Sequence, residues 1–167
     1  MNLHDYDLVT HLLTDHGGFS GQIDSLAEET AEVMMELAKT MCDPEAETDI
    51  VTELTELQIN YHVAYYDLTG EYMPDFFGAL PKIYTPINPF ELMTSFMVDA
   101  NALVRLLFHS KREDKHDATK TALLKQLLDS QLELEGMLHH FGVTYDKASE
   151  VVKSKYKKHN LLYLDSE

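Results

Sequence analysis

A single cysteine, Cys42, is all the chain has, so no disulfide can form within it. A lone thiol suits a reducing compartment, most simply the cytoplasm. No apolar run approaches the roughly 20 residues that a helix needs to cross a bilayer. The start, MNLHDYDLVTHLL, lacks the basic residues and small-residue cleavage site of a signal peptide. No membrane partner is therefore expected. Basic residues are almost missing from the first half. From Met1 to Pro81, Lys39 is the only Lys or Arg, against roughly 17 acids. An acidic body repels phosphate backbones, so duplex nucleic acid is not an expected partner either.

What is present suits one folded domain. The 167 residues are 44% apolar and 10% aromatic, enough for one good core. The net charge is -16, and five of the 13 basic residues crowd together at Lys147, Lys153, Lys155, Lys157 and Lys158. The bland reading of this charge is a solubilising surface.

The pattern along the chain is helical throughout. A first helix is expected from Leu3 to Leu13, ending at a Gly17-Gly18 break. A second spans about 22–41, with an apolar seam of Ile23, Leu26, Val33 and Leu37 bridged by Thr30. After a short connection containing Pro44, a third spans about 49–68. Its seam is Ile50, Leu54, Leu57, Tyr61, Ala64 and Leu68, and Asp49 is its candidate N-cap. Residues 69–89 hold four of the five prolines, which forbid a continuous helix. The aromatics there predict an ordered loop packed on the bundle. Asn88-Pro89-Phe90-Glu91 reads as cap, first-turn proline and capping-box acid. A fourth helix to about His109, a loop over Lys111–His116 and a fifth helix over about 117–141 follow, with a stop at Gly142. A basic terminal helix covers 144–160. The expected fold is thus an all-α, antiparallel bundle of about five to six helices. The hairpin at 22–68 is echoed at 90–141 by a second helical pair that has the apolar rhythm without the glutamates. A degenerate duplication and a chance likeness of generic hairpins both fit that echo.

The glutamates of the first hairpin carry the chemistry. The second helix contains Glu28-Glu29-Thr30-Ala31-Glu32 and Glu36, the third Glu53-Leu54-Thr55-Glu56. Residues three apart share a helix face. On a helical wheel Glu29 and Glu53 lie roughly 60–70° from their seams, and Glu32 and Glu56 roughly 120–130°. The rotational sense is the same in both helices, so an antiparallel pairing brings both glutamate pairs to one edge. Four convergent carboxylates repel one another unless protons or cations fill the site. Oxygen ligands with no cysteine nearby select Mg²⁺, or Mn²⁺, over Zn²⁺. The bland alternative is a solvated acidic edge. A ferritin-like di-iron site fits less well, because the only Glu-x-x-His spacing, Glu113 to His116, falls in a charged loop.

With Gln22-Ile23, Glu28-Glu29-x-x-Glu32-Val33 and Asp49-Ile50-Val51-Thr52-Glu53-Leu54-Thr55-Glu56-Leu57, the chain resembles the all-α nucleoside triphosphate pyrophosphohydrolases. These include MazG-like enzymes and dimeric dUTPases. The resemblance implies that Glu29, Glu32, Glu53 and Glu56 are metal ligands and catalytic residues. It also implies Mg²⁺-dependent conversion of a nucleoside triphosphate, such as dUTP or dCTP, to the monophosphate and pyrophosphate. The family usually has Asp where Glu56 stands. By the same resemblance Lys155 and Lys158 contact phosphate, and the protein is a homodimer or larger homo-oligomer. Glu28 and Glu36 are candidate acids supporting the ligands. Asn60, one turn beyond Glu56, is a candidate contact to base or sugar, against the plainer reading of a polar rim residue. Tyr61 is expected in the core. Met34, Met35 and Met41 are expected in core or interface, and His62, His139 and His140 at the surface. Two other functions compete: a nucleotide-binding pseudo-enzyme, suggested by Glu56, and an acidic module that binds a basic protein.

Overall fold

The computed structural model describes residues 3–73, 88–113 and 116–164. Five helices account for nearly all of them: α1 (Leu3–Cys42), α2 (Ile50–Thr69), α3 (Pro89–Glu113), α4 (His116–His140) and α5 (Tyr145–Leu164). The all-α bundle expected from periodicity is what the chain forms. Helix α1 pairs with α2 and α3 with α4; the two hairpins meet through α2 against α4 and α1 against α3. Among the described residues α5 touches only α1 and α2, so it lies on the outside of the first hairpin.

The seams explain this pairing. Ile23, Leu26, Thr30, Val33 and Leu37 are all buried, as are Ile50, Leu54, Leu57, Tyr61, Ala64 and Leu68. They join Phe96, Ala100, Leu103 and Leu107 of α3 and Leu123, Leu127, Leu134 and Leu138 of α4 in one core. Each fully buried aliphatic side chain stabilises the fold by about 1.5–3 kcal/mol. Thr30 sits in the seam without strain because its hydroxyl donates to the Leu26 carbonyl at 2.7 Å.

Helix ends follow local chemistry, with corrections. The break at Gly17-Gly18 is absent: α1 runs unbroken for 40 residues. A helical glycine costs only about 1 kcal/mol relative to alanine, and no proline is there to remove a hydrogen bond. The loop at Lys111–His116 shrinks as well, since α3 continues to Glu113 and α4 begins at His116. Asp49 stands at the N-cap of α2, but its side chain makes no capping bond. Asn88 does cap α3, accepting the Phe90 N–H at 3.1 Å. Gly70 and Gly142 close α2 and α4 with φ of 74° and 65°, the left-handed conformation that glycine enters without a Cβ penalty. The proline-rich loop expected to pack on the bundle lies, for 74–87, outside the described residues.

Candidate metal centre

Polar residues along one edge of the α1–α2 hairpin show the register. Ser25 donates to Asn60 Oδ1 at 2.9 Å. Glu29 and Glu56 stand across from each other, and Glu36 Oε2 accepts the Asp49 N–H at 3.1 Å. Each step up α1 is matched by an equal step down α2, as antiparallel helices in fixed register require. The equal offsets of the two glutamate pairs therefore become real proximity.

Glu29, Glu53 and Glu56 each bring a carboxylate oxygen to within 4.8 Å of the other two. Glu32 is outside this set, yet its charge is felt by both Glu29 and Glu53. Glu29 is 7% exposed, and its Oε2 is buried with no hydrogen-bond partner among the described residues. Burial raises the Glu29 carboxyl above its ordinary range, partly offset by Lys155 and reinforced by Glu56 and Glu32. Glu53 is driven further, to about 7, by burial and then by Glu32, Glu29, Glu56 and Asp49. The cluster holds more negative charge than its surroundings neutralise.

One cation is already there. Lys155 reaches in from α5 and places Nζ at 2.7 Å from Glu29 Oε1 and 2.6 Å from Glu56 Oε2. Its side chain is only 12% exposed. Burial pulls its pKa down, but the hydrogen bonds to Glu29 and Glu56 more than reverse this, so the ammonium stays charged. Lys155 is carried there by Val152 and Tyr156, which pack on Ile59 and Val63 of α2.

The other candidates fall in different places. Glu28 is exposed. Glu36 turns to Lys39 and to the Asp49 N–H, so it anchors the hairpin turn. Asn60 is buried; besides accepting from Ser25 it donates to the Glu56 carbonyl at 3.1 Å. Its amide oxygen thus ties α2 to α1, while its NH2 bonds back within α2. Lys158 is exposed, one turn beyond Lys155 on α5. His62 is buried, not at the surface, and burial lowers its pKa to about 4. Met35 is 58% exposed, whereas Met34 and Met41 pack on the core.

The second hairpin is not free of acids, contrary to the expected echo. Glu133 of α4 accepts a hydrogen bond from Ser95 of α3 and lies close enough to Asp99 to feel its charge. Burial raises its pKa, and the Asp99 charge adds to the rise. Glu135 is fully buried and accepts the amides of Gln58 at 2.5 Å and Gln131 at 2.8 Å. The i,i+4 spacing of Gln131 and Glu135 was the available signal for that pair. No spacing rule joins Gln58 to them, because that contact crosses between hairpins.

No protein-family model, curated protein or solved structure matches the chain.

Proposed function

We propose that the protein is a metal-dependent nucleotide pyrophosphohydrolase, converting a nucleoside triphosphate to its monophosphate and pyrophosphate. The supporting observation is the convergence of Glu29, Glu53 and Glu56 from two helices, with a lysine in hydrogen-bonding contact. The donor set suits Mg²⁺ or Mn²⁺: all oxygen, with no sulfur ligand among them. The unpartnered Glu29 Oε2 and the raised Glu53 pKa both mark a site with unmet demand for positive charge. Glu29, Glu53 and Glu56 would hold the ion, with Glu32 beside them.

When bound, the ion polarises a phosphoryl oxygen and lowers the pKa of coordinated water. The side chains account for the rest. Glu32 or Glu29 orients a water and accepts its proton as the oxygen attacks the α-phosphorus. The bond to the bridging oxygen breaks, and pyrophosphate leaves with the electron pair. Lys155 offsets the charge that develops on the phosphates. Lys158 extends the same basic face towards solvent. The motif's resemblance to the all-α pyrophosphohydrolases favours a deoxynucleotide such as dUTP or dCTP.

A second reading has its own observation. Glu56 stands where the resembled family usually has Asp, and it is engaged by Lys155. A nucleotide-binding protein without turnover fits that arrangement, and restored turnover in Glu56→Asp would mark it. Self-association belongs to the same proposal. Phe90 and Val98 on α3 are 56% and 63% exposed and share one helix face, an apolar area suited to a second copy.

The deciding experiment screens the common NTPs and dNTPs plus dUTP, each with Mg²⁺ and with EDTA, for monophosphate and pyrophosphate. Metal-dependent product from one or a few substrates is expected. A Glu53→Gln variant working at full rate would sink the mechanism.

A further inference from the structure

Lys155 does more in this arrangement than wait for a phosphate. Its ammonium occupies Glu29 Oε1 and Glu56 Oε2, so it engages two of the three carboxylates that could hold a metal. A bound divalent ion would approach such oxygens to about 2.1 Å. Two cations sharing the same pair of oxygens would repel strongly in so buried a place. The ammonium also serves the cluster incompletely. Glu29 Oε2 stays buried and unpartnered beside it, and one positive charge faces Glu29, Glu32, Glu53 and Glu56.

We infer that Lys155 is the site's resident counter-ion, which exchanges places with the divalent ion on Glu29 and Glu56 and is thereby released towards the incoming triphosphate. The inference rests on the metal-dependent reading above and deepens it. The mechanics permit the exchange. Lysine carries its charge on a flexible four-carbon stem, so Nζ can leave without rebuilding the backbone. Helix α5 packs on α2 around Lys155 through Val152 and Tyr156 against Ile59 and Val63, a small cluster apart from the main core that Ala148 joins. The metal-free site is therefore partly neutralised from within, and Lys155 blocks Glu29 Oε1 and Glu56 Oε2. An ion arriving alone must break two short ion pairs. An ion arriving with a triphosphate breaks the same pairs, but the freed ammonium gains a phosphate partner. Metal and nucleotide then bind with positive coupling.

The test measures Mn²⁺ affinity, by titration calorimetry or electron paramagnetic resonance, without nucleotide. Wild type, Lys155→Met and Lys155→Arg are compared. Lys155→Met removes the competitor and should bind Mn²⁺ about tenfold more tightly or better. Lys155→Arg keeps the charge and should stay near wild type. Binding by wild type with Lys155→Met no tighter overturns the exchange and leaves the metal site standing. No Mn²⁺ binding by any of the three proteins overturns the metal site and the exchange together. Should Lys155→Met not fold, Lys155→Gln, which also removes the charge, takes its place. Tighter Mn²⁺ binding by it is expected, and binding no tighter than wild type overturns the exchange of cations.

Discussion

The two hairpins use the same packing and treat their acids differently. In α1–α2, Glu29, Glu53 and Glu56 meet at an edge covered by α5, and a lysine from that helix enters among them. In α3–α4, Glu133 lies against Ser95 and Asp99, and no fifth helix touches this pair of helices among the described residues. The second brings together fewer acids, and a serine hydroxyl serves one of them. The first gathers too many carboxylates for one proton or one ammonium to satisfy. Acid crowding that exceeds local neutralisation separates a candidate site from an acidic surface, and it depends on what packs over the edge as much as on the glutamates.

The sharpest way to break this comparison is to neutralise one acid in each hairpin. Glu53→Gln should lower metal-dependent pyrophosphate release by about 100-fold or more, whereas Glu133→Gln should stay within about twofold by the same assay. Equal losses would erase the distinction. Packing should show the opposite symmetry. Leu54→Ala and Leu103→Ala each empty a fully buried seam position, so each should cost about 2–5 kcal/mol in denaturant unfolding. A large gap between them would mean that one hairpin carries the fold.

Proton linkage sharpens the contrast further. Burial and the neighbouring carboxylates push Glu53 up to about 7 in the folded protein from an ordinary 4.5, so its contribution is present below 4.5 and lost as pH rises through 7. Replacing it with Gln removes this loss. Allowing for solvent screening, Glu53→Gln should gain about 1 kcal/mol above pH 7, seen as a Tm about 2–4 °C higher. The variant would be inactive and more stable. His62 works in the other direction: with its pKa lowered to about 4, its contribution is present above 6.5 and lost as pH falls towards 4. Between pH 7 and 4 the Tm of wild type should therefore fall relative to that of His62→Leu, which cannot lose this contribution. The smallest effects belong to the helix starts. Asn88→Ala should cost about 1 kcal/mol by removing a cap. Asp49→Ala, whose side chain caps nothing, should change stability by only a few tenths of that by the same reasoning.

The seams were legible from periodicity because burial imposes the helical repeat directly. Every seam position from Ile23 to Leu37 and from Ile50 to Leu68 is buried. The meeting of Glu29 with Glu53 and Glu56 was legible for the same reason, since equal offsets in an antiparallel pair are a geometric constraint. The continuity of α1 was not legible, because glycine weakens a helix without forbidding it. The burial of His62 depends on what packs over α2, and the α2 pattern alone does not reveal it. Glu36 was expected to support the metal ligands, and it is held by Lys39 and the Asp49 N–H. Its distance from the seam was clear, but its attraction to an N–H across the hairpin turn depends on the register. Lys155 was singled out for phosphate, and its contacts with Glu29 and Glu56 depend on how α5 docks.

Those contacts also set an order of events during synthesis. Lys155 is 126 residues from Glu29 and 99 from Glu56 along the chain. A ribosome exposes both glutamate helices long before it has made the lysine that neutralises them. The nascent hairpin therefore emerges with its acid edge bare. In that interval its counter-ions must come from solution, and docking of α5 brings the first one supplied by the chain's own fold.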